Sequence, residues 1–350
     1  MVLLLDHRTV QEIVDGPELM NRVIEVIENS FRDVAAWPVP PDPTTFPTDL
    51  AHPKIFAITG AAPTLGVIGG ALHVRGGTAG MSSHGSYKLC FDLTSGDLLC
   101  LFEDGPIHKY MHGADIGVAT KWLARADARV LAVVTAGPTP PCGDPSRDAA
   151  IAAANARTAL PTRAAVEAVC AVRPIEEIRI ATTSAEHAAE LVAIVEQTVG
   201  VPASASRSVE EAVRGASVVN LSTNNMHRGS GTSGVTREWI SQGTHVNAII
   251  RGEIDANFLR DCTVFPASIP HLLAIDPPWE PFASMVKNGE VPAPAGLDEV
   301  VAETKPGRRD RSEVTVFTGA SIGAQHAALA AWIYRQAVER GVGVQWRQER

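Results

Sequence analysis

From Val130 onward the chain alternates short apolar runs with longer stretches of helical periodicity. The runs Val130 to Val134, Ile178 to Ala181, Val218 to Leu221, Val246 to Ile249 and Val314 to Phe317 are strand-length and rich in β-branched residues. Between and after them, Ser184 to Val199, Ser208 to Arg214 and Gln325 to Gly341 carry helical patterns. Strands buried on both faces read this way, because parallel neighbours must be joined by crossovers that cover the sheet. The pattern predicts an α/β fold with a parallel sheet clothed by helices.

The first third reads differently. A short strand, Val2 to Leu5, is followed by Asp6 and a helix in which Val23, Ile24, Ile27 and Phe31 recur at helical spacing. Between Trp37 and Pro63 seven prolines remove backbone donors and forbid a long helix. Strands are then expected over Ile55 to Ile58, Val67 to Val74, Tyr87 to Asp92 and Leu98 to Phe102. From Ile107 through Leu123 the pattern turns helical. No internal repeat interrupts the sequence, and 350 residues correspond to about two domains.

Charge and composition exclude several partners. Thirty Lys and Arg against 39 Asp and Glu give a net charge of -9, the wrong sign for neutralising phosphates along a nucleic acid. No apolar run reaches the ~20 residues that a membrane helix needs. Five scattered cysteines without a C-x-x-C pair fit a reducing compartment, and the N-terminus lacks the marks of a cleaved leader, so a cytoplasmic protein is expected.

Several segments carry a resemblance in order along most of the chain. They are Tyr87-Lys-Leu-Cys-Phe-Asp92, Gly113-Ala114 leading into Ala119 to Ala124, Ala171 to Ile180, Val209 to Val219, Gly243 to Ile249, and Val316 to Gly323 with the helix through Gly343. Together they resemble the ornithine cyclodeaminase and mu-crystallin family. The resemblance implies a Rossmann-like NAD(P)-binding domain, placed at 116–311. It also implies an α+β substrate and dimerisation domain, placed at 1–115 with 312–350. It further implies NAD or NADP as cofactor, a homodimer, and an oxidoreductase of the ketimine reductase or amino-acid dehydrogenase type acting on an amino or imino acid. An ornithine cyclodeaminase-like lyase is the related possibility. The other reading left open is a protein that keeps the fold but has lost the nicotinamide, serving as a binding subunit or as a non-redox lyase or hydrolase.

Cofactor contacts are expected at the carboxyl ends of the Rossmann strands. After the first strand, Thr135 and Gly137 are followed by Pro138, Pro140 and Pro141, which remove donors from the phosphate-binding turn. After the second, Thr182 and Thr183 stand where an acid would meet the ribose of NAD, and Ser184 suits a helix cap. Ser222 and Thr223, Asn247, and Ser321 beside Thr318 complete the expected set.

On the substrate side the family's lysine and arginine fall on Ala71 and Met111. Alternation along the strand places His73 and Arg75 on the face of residue 71, and an arginine fork suits a carboxylate. His108, His112 and Asp115 share one helix face and suit acid/base work near neutral pH. A metal needs a third ligand beside the two histidines, for which His84 is the loose candidate, and none is expected. The loop that would hold the family's catalytic Asp is shortened, leaving Glu253 and Asp255 as substitutes or helix-terminal acids, and His326 stands where the family has an Asp. The expected catalytic set is therefore His73, Arg75, His112 and Asp115.

Overall fold

The computed structural model describes residues 2–16, 18–37, 54–75, 86–137, 143, 148, 159–222, 233–275, 278–291, 295–319 and 322–346. The chain opens with β1 (Val2–Leu5), α1 (His7–Val14) and α2 (Leu19–Ala36). The side chain of Asp6 caps α1 by accepting from the Thr9 N–H at 2.8 Å. On α2 the residues Val23, Ile24, Ile27 and Phe31 form the buried stripe that their spacing predicts. Strands β2 (Lys54–Ala62), β3 (Val67–Arg75), β4 (Ser86–Asp92) and β5 (Leu98–Glu103) follow, then the long helix α3 (Gly105–Leu123). Pro106 sits in the first turn of α3, where its missing donor costs nothing.

The second half comprises β6 (Val130–Thr135), α4 (Ala159–Val172), β7 (Glu177–Ala181), α5 (Ala185–Val199), β8 (Ala203–Ala205), α6 (Val209–Val213), β9 (Val218–Ser222) and β10 (His245–Ala248). Then come α7 (Ala256–Arg260), β11 (Thr263–Pro266), α8 (Ile269–Ala274), α9 (Phe282–Lys287), α10 (Leu297–Val301), β12 (Thr315–Thr318), α11 (Gly323–Arg340) and β13 (Val344–Trp346). Ser184 and Ser208 cap α5 and α6. Gly341, at φ 66°, closes α11 in the left-handed conformation that a side chain would resist.

Among the described residues there are two sheets. One has the order β13-β1-β5-β4-β3-β2, antiparallel except where β1 lies parallel to β5. The other has the order β11-β12-β10-β9-β6-β7-β8 and is parallel throughout. Its strand order reverses between β6 and β9, where doubly wound sheets open a crevice at the carboxyl ends.

The expected boundaries need two corrections. Strand β12 lies between β10 and β11, so residues 315–318 belong to the parallel sheet and the return to the first sheet begins only with α11. A boundary at 115/116 would also cut α3 in mid-helix. One apolar core, with Phe31, Phe102, Met111, Leu329 and the parallel-sheet residues Phe265 and Phe317, runs through both halves and around α3. The reason is physical: α3 is buried along most of its length, with residues 113–120 inaccessible, so both sheets use it as a wall.

Helix α11 approaches β2 closely. A Cβ on Gly323 would lie 1.7 Å from the Thr59 carbonyl oxygen, and one on Gly60 would lie 2.3 Å from the Gly323 carbonyl carbon. Two facing glycines thus allow the start of the helix to rest on strand backbone, which brings its first turn over the inner face of the first sheet.

Candidate functional site

On that inner face the pleat aligns polar residues that are far apart in sequence. Across β3 and β4 the directly opposed pairs are Ala71 with Lys88 and His73 with Ser86. Opposed residues share a face, so Lys88 projects into the space beside Ala71. Lys88, Asp104 and His326 are fully buried, and His73 and Ser86 nearly so.

Asp104 is the centre of the cluster. Lys88 Nζ lies 3.0 Å from its Oδ1, while the Ser86 hydroxyl donates to Oδ2 at 3.0 Å and His108 Nδ1 reaches the same oxygen at 2.9 Å. The Lys88 ammonium also lies 2.7 Å from His326 Nδ1. Ser86 meets His73 Nδ1 at 2.8 Å, and His112 Nε2 stands 3.2 Å from His108 Nε2. Asp104 precedes α3 but makes no side-chain cap there, being turned to the cluster instead.

Burial opposes ionisation of Asp104, but Lys88 and then His108 outweigh it and hold the carboxyl well below its usual range. Burial pushes Lys88 down, against the pull of Asp104. Burial likewise pushes down His108, and pushes His112 and His326 well below their ordinary value, with Lys88 adding to the effect on each. At neutral pH the cluster thus holds one ion pair ringed by neutral imidazoles. His73, Asp104 and His326 bring ligand atoms within 4.8 Å of one another. Lys88 already answers the charge of Asp104, however, and an ammonium at that position repels a divalent ion.

The parallel sheet supplies a second set of groups. Thr135 and Ser222 pair across the reversal point, and the Thr135 hydroxyl donates to the Ser222 carbonyl at 3.2 Å. The Gly137 N–H donates to Thr183 Oγ1 at 3.2 Å, and a Cβ at Gly137 would meet that oxygen at 2.5 Å. Thr182 Oγ1 is buried beside this turn without a hydrogen-bond partner among the described residues. Gly137 and the orphaned Thr182 hydroxyl are compatible with a dinucleotide at this turn, while Thr182 and Thr183, standing where an acid would meet the ribose of NAD, leave room for a 2′-phosphate.

Other expected residues fall elsewhere. The side chain of Asn247, expected at the cofactor, is engaged within the fold instead: its amide donates to Asn220 Oδ1 at 2.8 Å and Thr120 Oγ1 at 3.1 Å, and its oxygen meets His245 Nε2 at 3.1 Å. It is fully buried and ties α3 to the sheet. Asp115 shares a helix face with the histidines but accepts from Gln325 Nε2 on α11, and the carboxylate at His108 is Asp104. Met111 packs in the apolar core, and it is His112, one residue on, that faces the cluster. Asp255 caps α7, and Glu253 accepts from the Ile250 N–H within its own turn. The Thr318 hydroxyl accepts from Trp279 Nε1 at 2.8 Å. The side chain of Arg75, together with His84, the prolines at 138, 140 and 141, Thr223 and Ser321, lies outside the described residues.

Lys88, Asp104 and Ser86 were missed by the sequence reading. One signal existed: residues 86, 88 and 90 alternate onto the buried face of β4, so a lysine stands where an apolar residue belongs.

The chain is similar to known proteins along most of its length. Residues 159–341 match the model of the ornithine cyclodeaminase/mu-crystallin family. A Delta(1)-pyrroline-2-carboxylate reductase of Bacillus cereus is 25% identical over 264 residues, covering 72% of this chain and 71% of that protein. The structure of Thermococcus litoralis Delta(1)-pyrroline-2-carboxylate reductase, in complex with NADH and L-proline, superposes with a TM-score of 0.79 at 23% identity, over 98% of this chain and all of that one. An archaeal alanine dehydrogenase dimer with bound NAD gives a TM-score of 0.77 at 20% identity, with 99% of each chain covered. The fold is the one these proteins share, and the matched span exceeds half of the sequence. The chain belongs to the ornithine cyclodeaminase/mu-crystallin family.

Proposed function

We propose that the chain is a cytoplasmic NAD(P)-dependent oxidoreductase that interconverts an amino acid and the corresponding imino acid. The observation that carries this reading is the placement of the polar cluster. His326 follows the carboxyl end of β12 by eight residues, and Phe317 of β12, Ile322, Ala327 of α11 and Met111 of α3 share one apolar core, which supports a place for the Lys88, Asp104 and histidine group near the carboxyl edge of the doubly wound sheet. That edge is where dinucleotides bind in such sheets. The relatives named as reductases of a cyclic imino acid, and the neighbours holding NADH or NAD, support it.

When bound, the nicotinamide supplies or takes the hydride at the substrate Cα. The protein must then hold the carboxylate and move one proton at nitrogen. Arg75, two residues beyond His73 on β3, is the proposed carboxylate anchor, since the charge of Lys88 is answered within the cluster. His108 and His112, partly exposed at the edge of the cluster, are the groups that exchange the proton.

The assembly proposed is a homodimer. Ile55, Ile68, Leu72 and Tyr87 leave an apolar surface on the outward face of β2, β3 and β4, with Ile55 72% exposed. A second copy of the chain covers it in this reading, and the alanine dehydrogenase neighbour is a dimer. Among the described residues no helix is long and apolar enough to cross a membrane.

Two measurements test the proposal. Millimolar NADH or NADPH should raise the melting temperature, because a ligand bound only by the native state stabilises it by mass action. Oxidation of the reduced cofactor should then follow addition of Delta(1)-pyrroline-2-carboxylate or another imino acid. No thermal shift with any of the four nicotinamide dinucleotides overturns the reading and favours a fold that has lost its cofactor.

A further inference from the structure

The hydrogen bonds of the cluster have a direction, and the direction assigns the tautomers. Asp104 is a carboxylate and can only accept, so His108 Nδ1 at 2.9 Å must carry its hydrogen. His108 is neutral at pH 7, which leaves Nε2 with a lone pair. His112 Nε2 stands 3.2 Å from that lone pair, so it must donate, and a neutral His112 then has its lone pair on Nδ1. Lys88 holds the other carboxylate oxygen, Oδ1, and Ser86 donates to the same Oδ2 that His108 meets.

We propose that Asp104, His108 and His112 form a proton relay in which His112 Nδ1 is the base that meets the substrate nitrogen. This rests on the oxidoreductase reading above and adds the residues that move its proton. In the oxidative direction an N–H bond of the substrate amine breaks and an Nδ1–H bond forms on His112. The Nε2 proton of His112 passes to His108 Nε2, leaving His112 neutral and His108 an imidazolium against the Asp104 carboxylate. In the reductive direction the same protons run backwards, and the imine nitrogen receives one. Asp104 and His108 are positioning residues, acting through His112. Lys88 keeps Asp104 ionised. Burial lowers His112 most, then His108 and Lys109 on its own helix, with Asp104 opposing and Lys88 on β4 adding a smaller push.

The polarity can be read without activity. Long-range proton–nitrogen correlation spectra of the full-length protein, labelled with 15N-histidine and recorded at pH 7, separate Nδ1–H from Nε2–H tautomers. His108→Gln and His112→Gln each remove one pattern and so assign them. The expected result is His108 as Nδ1–H and His112 as Nε2–H, while the opposite order in either ring overturns the relay.

Asp104→Asn presents an amide that can donate to His108 Nδ1, reversing the chain. It should cut kcat for NAD(P)H-dependent imine reduction by about 10²- to 10⁴-fold with KM changed less than threefold. For imine reduction the relay must start protonated, so His112→Gln should remove the ionisation on the alkaline side of the kcat profile, and an unaltered profile counts against the relay. Turnover absent in the wild-type protein with every imino acid tried would sink the oxidoreductase reading, whereas the tautomer spectra still decide the polarity.

Discussion

Replacing Lys88 with Met keeps the length of the side chain and removes its charge. The structure makes the cost large, because both members of the Lys88 and Asp104 pair are fully buried and 3.0 Å apart. Breaking a buried pair by removing one partner costs ~3 to 5 kcal/mol, since the other charge is left without compensation. Ser86 and His108 still donate to Asp104, which places the expected loss toward the lower value. At ~2.1 cal/mol/K per residue the 350-residue chain loses about 1.4 °C per kcal/mol, so the melting temperature should fall by about 4 to 7 °C. The loss should depend on pH with a definite sign. In the wild type, Asp104 is held below its unfolded value, so its contribution is present above about pH 4 and fades as pH falls through its folded pKa. Without Lys88 burial raises that pKa, and the deficit of the variant should be greatest near pH 8 and shrink toward pH 5. Differential scanning fluorimetry across pH 5 to 8 measures both. The double replacement Lys88→Met with Asp104→Leu should recover more than half of the stability, because no charge remains buried. A loss under 0.5 kcal/mol at every pH, or a double variant as unstable as the sum of the single ones, would refute the reasoning.

Three further outcomes are expected. Gly323→Ala should cost about 3 kcal/mol or more in urea denaturation, because its Cβ would lie 1.7 Å from the Thr59 carbonyl oxygen, while Gly16→Ala, with open space around it, should change stability by less than ~0.5 kcal/mol. Asn247→Ala should destabilise by about 2 to 4 kcal/mol by stranding Asn220, Thr120 and His245, yet leave the dissociation constant for NAD(P)H within twofold; a larger change in affinity would return Asn247 to the cofactor site. His245 is pushed down to about 3 by burial, so the unfolded chain takes up a proton that the folded one refuses. Stability should therefore fall by about 1.4 kcal/mol per pH unit from about pH 6.5 toward 3 on account of this group, and His245→Gln should remove that slope in acid titrations followed by circular dichroism.

Much of the architecture was legible because its signals are local. The stripe on α2 and the caps at Ser184 and Ser208 depend on neighbours within a turn or two. Strand β8 and the helices α7 and α9 are too short to announce themselves by periodicity. The site was legible only in part. His108 and His112 share a helix face, and spacing alone shows it. Their carboxylate was misassigned: Asp115 lies on the same helix face, but Asp104, four residues before His108, is the one that meets it. Asn247 reads as a strand-end contact, but it serves a buried polar link between β10 and α3 that no local pattern encodes.

By itself the sequence determined the strand and helix inventory, the parallel character of the second half and the family. These follow from periodicities of two and of 3.6 residues and from ordered motifs along the chain. Tertiary structure decided which faces meet. Lys88 reaches Asp104 because β4 pairs with β5, which leads through Asp104 into α3, and it reaches His326, 238 residues away, because facing glycines let α11 settle on β2. Neither contact is coded by spacing. A buried charge is tolerated only where the whole fold delivers its counter-charge, and that condition belongs to the assembled sheets rather than to any segment of the chain.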